Sequence, residues 1–159
     1  MSEKFEFSAE NLVKYNELLS RYDDTESAIL PVLHLAQEQH GWLPDFVLGK
    51  ISEMMSVPVI KLKEVVSFYD MFYDHPTGRN IIQVCTNITC SMYGSRELHK
   101  SLLKEYKTEN MTPCDDGRLY IQKMECLGAC SDAPCMRVNN DYYGKITLDS
   151  ALKIIRVLR

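Results

Sequence analysis

Residues 80–90 read NIIQVCTNITC, and residues 119–130 read LYIQKMECLGAC. Each segment opens with apolar and β-favouring residues and closes with a pair of cysteines. These patterns predict a strand over 80–84 and an alternating strand over 119–124. Because loops at neighbouring strand ends can face each other, the pairs can offer four thiolates to one centre. The four candidate ligands are Cys85, Cys90, Cys126 and Cys130.

The spacing within the two pairs limits the cofactors that they can hold. Structural zinc prefers Cys-x2-Cys knuckles, whereas these pairs are Cys-x4-Cys and Cys-x3-Cys. A plant-type ferredoxin needs a third cysteine where Tyr93 stands, and a Rieske centre needs histidines beside the cysteines. A thioredoxin-type active site needs Cys-x-x-Cys. A four-cysteine [2Fe-2S] cluster of another class fits best, with zinc, disulfides and plain buried thiols left as alternatives.

Glycine stands between the ligands of the second pair, in Cys126-Leu127-Gly128-Ala129-Cys130. Glycine allows a left-handed backbone and a close approach of main-chain amides to sulfur. Such donors stabilise negatively charged sulfur and tune a cluster. We therefore expect amide donors around this pair.

The other two cysteines carry weaker signals. Cys114 lies in a polar turn over 112–117 and is expected to be an exposed thiol. Cys135 follows Pro134 close to Cys130, so it could lie near the site. For Cys135 we favour the role of a small buried apolar residue.

Composition excludes several classes of protein. The chain has 159 residues, of which 45% are hydrophobic and 25% charged, which is typical of a globular protein rather than a disordered one. Residues 1–78 carry 6 Lys and Arg against 13 Asp and Glu, and residues 79–159 carry 12 against 9. Neither half has the dense basic face typical of nucleic-acid binding.

No stretch approaches the ~18 apolar residues of a membrane helix, and the N-terminus shows no targeting pattern, so we expect a cytoplasmic protein without membrane insertion.

The first half of the chain has helical spacing. Ser8 is a candidate N-cap, a helix over 26–39 is expected to end at Gly41, and further helices should begin at Asp45 and after Pro58. The short loops between them favour a small bundle. The aromatic run of this half is expected to belong to the core; it comprises Phe68, Tyr69, Phe72 and Tyr73.

Turn residues over 74–78 indicate a domain boundary, after which the pattern changes. Beyond the two cysteine-bearing strands, we expect a helix over 93–107, a strand over 136–138 and a final helix capped by Asp149. These elements predict a compact α/β layer in the second half.

Four segments of the chain together resemble a known family. Residues 85–95 and 125–134 resemble the two cysteine motifs of the thioredoxin-like [2Fe-2S] ferredoxin subunit of NADH:quinone oxidoreductase, which is the E subunit of respiratory complex I. Residues 29–43 and 64–72 extend this resemblance upstream. Cys114 and Cys135 depart from the family pattern, but neither disturbs the four matching cysteines.

The resemblance implies an α+β fold, with an N-terminal helical bundle (1–76) for docking and a thioredoxin-like domain (77–159) that carries the cluster. It implies one [2Fe-2S] cluster on Cys85, Cys90, Cys126 and Cys130. The cluster would exchange single electrons with FMN in a partner flavoprotein that also binds NADH. Binding of NADH by the partner agrees with the absence of a Gly-x-Gly-x-x-Gly fingerprint from this sequence.

The chain would then be part of an oxidoreductase without a catalytic site of its own. Other peripheral-arm subunits would also contact it, on the cytoplasmic side of the inner membrane. An equivalent diaphorase subunit of an NAD-linked hydrogenase or formate dehydrogenase is an alternative. A zinc-stabilised interaction module is the alternative from a different class.

Overall fold

The computed structural model describes residues 4–158 and divides the chain into two compact units. The first unit ends at Pro76 and the second begins at Thr77. Within the described residues the helices are α1 (Ala9–Leu19), α2 (Ile29–His40), α3 (Asp45–Met55), α4 (Val59–Phe68), α5 (Ile88–Met92), α6 (Ser95–Glu105) and α7 (Leu148–Arg156). The strands there are β1 (Asn80–Cys85), β2 (Thr112–Pro113), β3 (Leu119–Met124), β4 (Met136–Val138) and β5 (Asp141–Tyr143). The outer ends of the two expected domains, 1–3 and 159, lie outside the described residues.

Local signals set the helix ends of the first unit. The Ser8 hydroxyl accepts a hydrogen bond from the Asn11 amide at 3.2 Å, which caps α1 as predicted. Helix α2 ends at Gly41, whose φ of 95° is costly for other residues. The 26–39 prediction is right for most of α2, but Thr25–Ala28 form a 3-10 turn before it.

The helices of the first unit enclose one hydrophobic core. Val32, Leu33, Val47, Ile51 and Leu62 are completely buried in it. The prediction that the whole aromatic run belongs to this core is wrong for one residue. Phe72 and Tyr73 are buried, whereas Phe68 is 78% exposed. Phe68 lies two residues after the buried Val66, and at about 100° per residue it faces away from the core.

The second unit is built on a five-stranded sheet with the order β2-β3-β1-β4-β5. Strands β1 and β3 are parallel neighbours, and Cys85 pairs in register with Met124. The other strand pairs are antiparallel. Because the ends of parallel neighbours meet at one edge of the sheet, both cysteine segments leave the sheet side by side.

The elements of the second unit differ from the predictions at four places. Strand β2 lies in the expected turn over 112–117, and strand β5 was not among the predicted elements. Residues 88–92 form the additional helix α5, which is separated from α6 by Gly94 with a φ of 84°. Thr147 rather than Asp149 caps α7. The Thr147 hydroxyl accepts from the Ser150 amide, and the Ser150 hydroxyl accepts from the Thr147 amide. Asp149 lies in the first turn, where its charge still favours the helix dipole.

Helices α6 and α7 contribute buried side chains to the core of this unit, together with the sheet. Leu102, Leu119, Ile121, Met136 and Ile155 are completely buried there. Across residues 4–158, no helix has the length and apolar character that crossing a membrane requires.

Candidate metal centre

The first cysteine pair lies buried at the end of β1. Cys85 is the last residue of the strand and Cys90 lies in α5, and both are 1% exposed. The Asn87 side chain caps α5 by accepting from the Ile88 amide at 2.9 Å. The Ser91 hydroxyl donates to the Thr86 carbonyl at 2.7 Å, which closes the turn between the two cysteines.

The second cysteine pair lies on an exposed loop. Cys126 follows β3, and Cys130 begins a short 3-10 turn that ends at Asp132. Gly128 has a φ of 75°, and its amide donates to the Cys126 sulfur at 3.4 Å. The expected approach of a main-chain amide to sulfur is therefore present at this glycine.

The two cysteine segments meet through a backbone hydrogen bond. The Leu127 amide, which directly follows Cys126, donates to the sulfur of Cys85. Leu127 and Ala129 also pack against the buried thiols. The exposed pair thus lies on a segment that is joined to the buried pair, as the parallel pairing of β1 and β3 requires.

A fifth thiol belongs to the same neighbourhood. Cys135 is 1% exposed, and its sulfur lies 3.7 Å from that of Cys90. The sulfurs of Cys85, Cys90 and Cys135 all lie within 4.8 Å of one another. Cys135 is buried, in agreement with the favoured interpretation, but it is also in direct contact with the first pair.

Hydrogen bonding makes the three buried thiols electrostatically unequal. Burial opposes ionisation of Cys85, but the amides of Asn87 and Leu127 and the neighbouring thiols donate to its sulfur and lower its pKa. Burial raises the pKa of Cys90. Burial and the two neighbouring sulfurs raise the pKa of Cys135 to about 12. Negative charge in this group is therefore best accommodated at Cys85.

Cys114 lies apart from this group. It packs against the core of the second unit and is half-buried, so the prediction of an exposed thiol is wrong. Its amide donates to the Leu119 carbonyl at 2.9 Å, which folds the turn back onto β3. Burial raises the pKa of the Cys114 thiol.

The donor set at the edge of the sheet suits an iron–sulfur cluster. Thiolates are the ligands of [2Fe-2S] clusters, and hydrogen bonds to sulfur tune their potential. Here thiols from two neighbouring segments are combined with amide donors from Asn87, Leu127 and Gly128. The fold and the thiols thus define a ferredoxin-type protein.

The chain belongs to the thioredoxin-like [2Fe-2S] ferredoxin family, whose model matches residues 15–159. The E subunit of NADH-quinone oxidoreductase from Rickettsia bellii is 36% identical over 158 residues, which are 98% of this chain and 95% of that protein. The E 2 subunit of the same oxidoreductase from Rhizobium meliloti is 37% identical and covers 86% of this chain and 83% of its own length. These matches confirm the resemblance, the α+β fold and the [2Fe-2S] cofactor.

A more distant likeness concerns the fold alone. The NAD+-reducing [NiFe]-hydrogenase in the air-oxidized state matches 78% of this chain with a TM-score of 0.66 and 20% identity. The match spans 22% of the hydrogenase chain.

Proposed function

We propose that this chain is the [2Fe-2S] electron-transfer subunit of an NADH-quinone oxidoreductase, complex I. The observation that carries this proposal is the nearly full-length likeness to the E subunit of the Rickettsia bellii oxidoreductase, at 36% identity. The redox activity belongs to the assembled complex, and this chain contributes a cofactor site rather than a catalytic site.

Cys85, Cys90, Cys126 and Cys130 are the proposed ligands of the cluster. Their support is the meeting of the two segments at one edge of the sheet and the hydrogen bond from the Leu127 amide to the Cys85 sulfur. When bound, a [2Fe-2S] cluster supplies one-electron redox chemistry.

The protein residues around the ligands perform two tasks. The amides of Asn87 and Leu127 donate to the Cys85 sulfur, which stabilises the thiolate that a metal requires. Burial of Cys85 and Cys90 excludes water from one side of the site, while Cys126 and Cys130 stand at the surface.

The proposed partner is the flavoprotein subunit that binds FMN and NADH. Ile88 is 76% exposed and Met92 is 81% exposed, and their spacing of four residues places them on one face of α5. Tyr93 extends this apolar face and is 66% exposed. Exposed apolar patches of this kind mark protein interfaces. Its position beside Cys90 suits docking close to the cluster.

The helical unit up to Pro76 is proposed to dock onto other peripheral-arm subunits. Phe68 and Met71 are its support, because both are large apolar side chains that lie exposed near the end of α4. In the complex, the chain would be peripheral to the inner membrane on its cytoplasmic side.

Metal analysis of anaerobically purified protein tests the ligand set. We expect about two irons and two acid-labile sulfides per chain, with a one-electron EPR signal after reduction with dithionite. Alanine at Cys85, Cys90, Cys126 or Cys130 should abolish the iron and the signal. The matched control Cys114→Ala should retain both.

Stoichiometric zinc in a colourless protein that resists cluster reconstitution would overturn the cluster assignment in favour of the interaction module. Retention of the full cluster in Cys126→Ala would contradict the proposed set of ligands but not the presence of a cluster.

Association with the flavoprotein subunit tests the complex. When the purified subunits are mixed, NADH should reduce the cluster and produce its EPR signal, and NADH should have no such effect on this chain without the flavoprotein. Ile88→Asp combined with Met92→Asp should weaken binding by at least about tenfold, because the charges oppose burial of this apolar face. Val157→Asp is the matched control, since Val157 is a 77% exposed apolar residue outside α5. Equal weakening in the control would contradict docking through α5.

The fold likeness to the NAD+-reducing [NiFe]-hydrogenase favours a second candidate, the equivalent diaphorase subunit of a hydrogenase or formate dehydrogenase. Purification from the native cells separates the two. Quinone reduction by the complex that contains this chain supports the first candidate, and oxidation of hydrogen or formate with NAD+ supports the second.

A further inference from the structure

The buried thiol of Cys135 has no place among the proposed cluster ligands. Cys135 immediately precedes β4, which pairs antiparallel with β1. The Cys85 amide donates to the Cys135 carbonyl at 3.1 Å, and the Cys135 amide donates to the sulfur of Cys90. Main-chain bonds therefore hold Cys135 directly against both members of the first pair.

The sulfur positions suit the coordination of one metal ion. A tetrahedral site with Zn–S bonds of about 2.3 Å separates two sulfurs by about 3.8 Å. The sulfurs of Cys90 and Cys135 are 3.7 Å apart, and all three buried sulfurs lie within 4.8 Å of one another. A disulfide would bring its two sulfurs to about 2.0 Å. The geometry thus fits thiolates that share an ion better than a covalent pair.

The side chains of this buried thiol group determine which ion it favours. All three side chains are thiols, each 1% exposed, and the neighbours packed against them are Leu127, Ala129 and Ala133. Soft thiolate donors favour zinc-class ions over magnesium, calcium or manganese. Three protein ligands leave a fourth tetrahedral position for water or another thiol.

We propose that Cys85, Cys90 and Cys135 together bind a single soft divalent cation of the zinc class in the cluster-free chain. The ion displaces the thiol protons and leaves all three sulfurs reduced. This site shares Cys85 and Cys90 with the proposed cluster, so the two occupancies exclude each other. Cys135 is the ligand that belongs to the mononuclear site alone, and the inference does not depend on which complex the chain serves.

Cobalt(II) provides the probe, because its visible bands report tetrahedral geometry and its sulfur charge-transfer band reports bound thiolates. The cluster-free chain is titrated anaerobically with Co2+, alongside Cys135→Ala and the control Cys114→Ala. Wild type and Cys114→Ala should bind one ion per chain with a tetrahedral spectrum. Cys135→Ala should bind more than about a hundredfold more weakly, because losing even an outer-shell partner costs about 10–100-fold.

Two further measurements keep the test decisive. Cys135→Ala and Cys135→Ser should reconstitute the iron–sulfur cluster as wild type does, which shows that both variants fold and separates this inference from the proposed function. A double variant, Cys126→Ala with Cys130→Ala, should keep the cobalt site. If Cys135→Ala binds cobalt like wild type, or if the double variant loses it, the mononuclear site is refuted. Absence of tetrahedral cobalt from wild type refutes it as well.

Discussion

The two units of this chain use their buried residues differently. Up to Pro76 the sequence contains no cysteine, and the buried side chains form one aliphatic and aromatic core. From Thr77 onward the unit has a hydrophobic core and, separate from it, a buried group of three thiols. Burial in the first unit therefore stabilises the fold. In the second unit, part of the burial instead encloses thiols that can bind a ligand.

Removal of the cluster should produce the largest difference in stability between the two units. Because all four proposed ligands lie in the second unit, removing iron with a chelator should reduce hydrogen-exchange protection of β1 and β3. The expected loss is at least about 4 kcal/mol, the stabilisation by a ligand present at roughly 1,000 times its Kd. Protection of α2 and α3 should change little. Mass spectrometry of peptides from both units measures this, and an equal loss in the first unit would remove the distinction.

Gly78→Ala should destabilise the second unit by about 3 kcal/mol, as severe overpacking does. A methyl group at Gly78 would lie 2.5 Å from the Leu119 carbonyl carbon and 2.7 Å from its oxygen. These are backbone atoms of β3, so they cannot move aside without disturbing the sheet. Urea denaturation of the cluster-free chain measures the change. Wild-type stability in this variant would show that the start of β1 is not tightly packed.

Gly49→Ala provides the opposite case in the first unit. Gly49 lies inside α3, and an added methyl group would meet nothing within 4 Å. Alanine should therefore stabilise the helix by about 1 kcal/mol through its higher helix propensity. The same denaturation experiment measures the gain, and a loss of stability would contradict an open position at this glycine.

The smallest expected effect is a pH dependence in the second unit. Burial lowers the pKa of His99, whose ring contacts the Asn110 side chain at 3.0 Å. The unfolded chain therefore takes up the proton first. This contribution to stability is fully present above about pH 6.5 and is lost as the pH falls toward the folded pKa.

NMR titration of the His99 ring, assigned with His99→Gln, measures the folded pKa. The variant should also show a flatter decline of stability below about pH 6.5, the ordinary histidine pKa. A folded pKa above the ordinary value would reverse the sign of this prediction, and a folded pKa equal to it would remove the effect.

Much of the fold follows from short-range patterns. The Ser8 cap, the end of α2 at Gly41 and the strand β3 depend on residues close in sequence, and the structure has all three. One of the errors has an equally local cause. Thr147 and Asp149 are both plausible caps, and Thr147 caps α7 because its hydroxyl and that of Ser150 bond each other's backbone amides.

The sequence by itself determined that the second unit carries two cysteine pairs suited to a metal or a cluster, because the pairs and their spacings are linear features that follow predicted strands. The direct contact of Cys135 with Cys90 was decided only by tertiary structure. Cys135 stands 45 residues after Cys90, yet their sulfurs lie 3.7 Å apart. The antiparallel pairing of β4 with β1 brings them together. Such a pairing depends on the packing of the whole sheet rather than on any local preference of the residues that it joins.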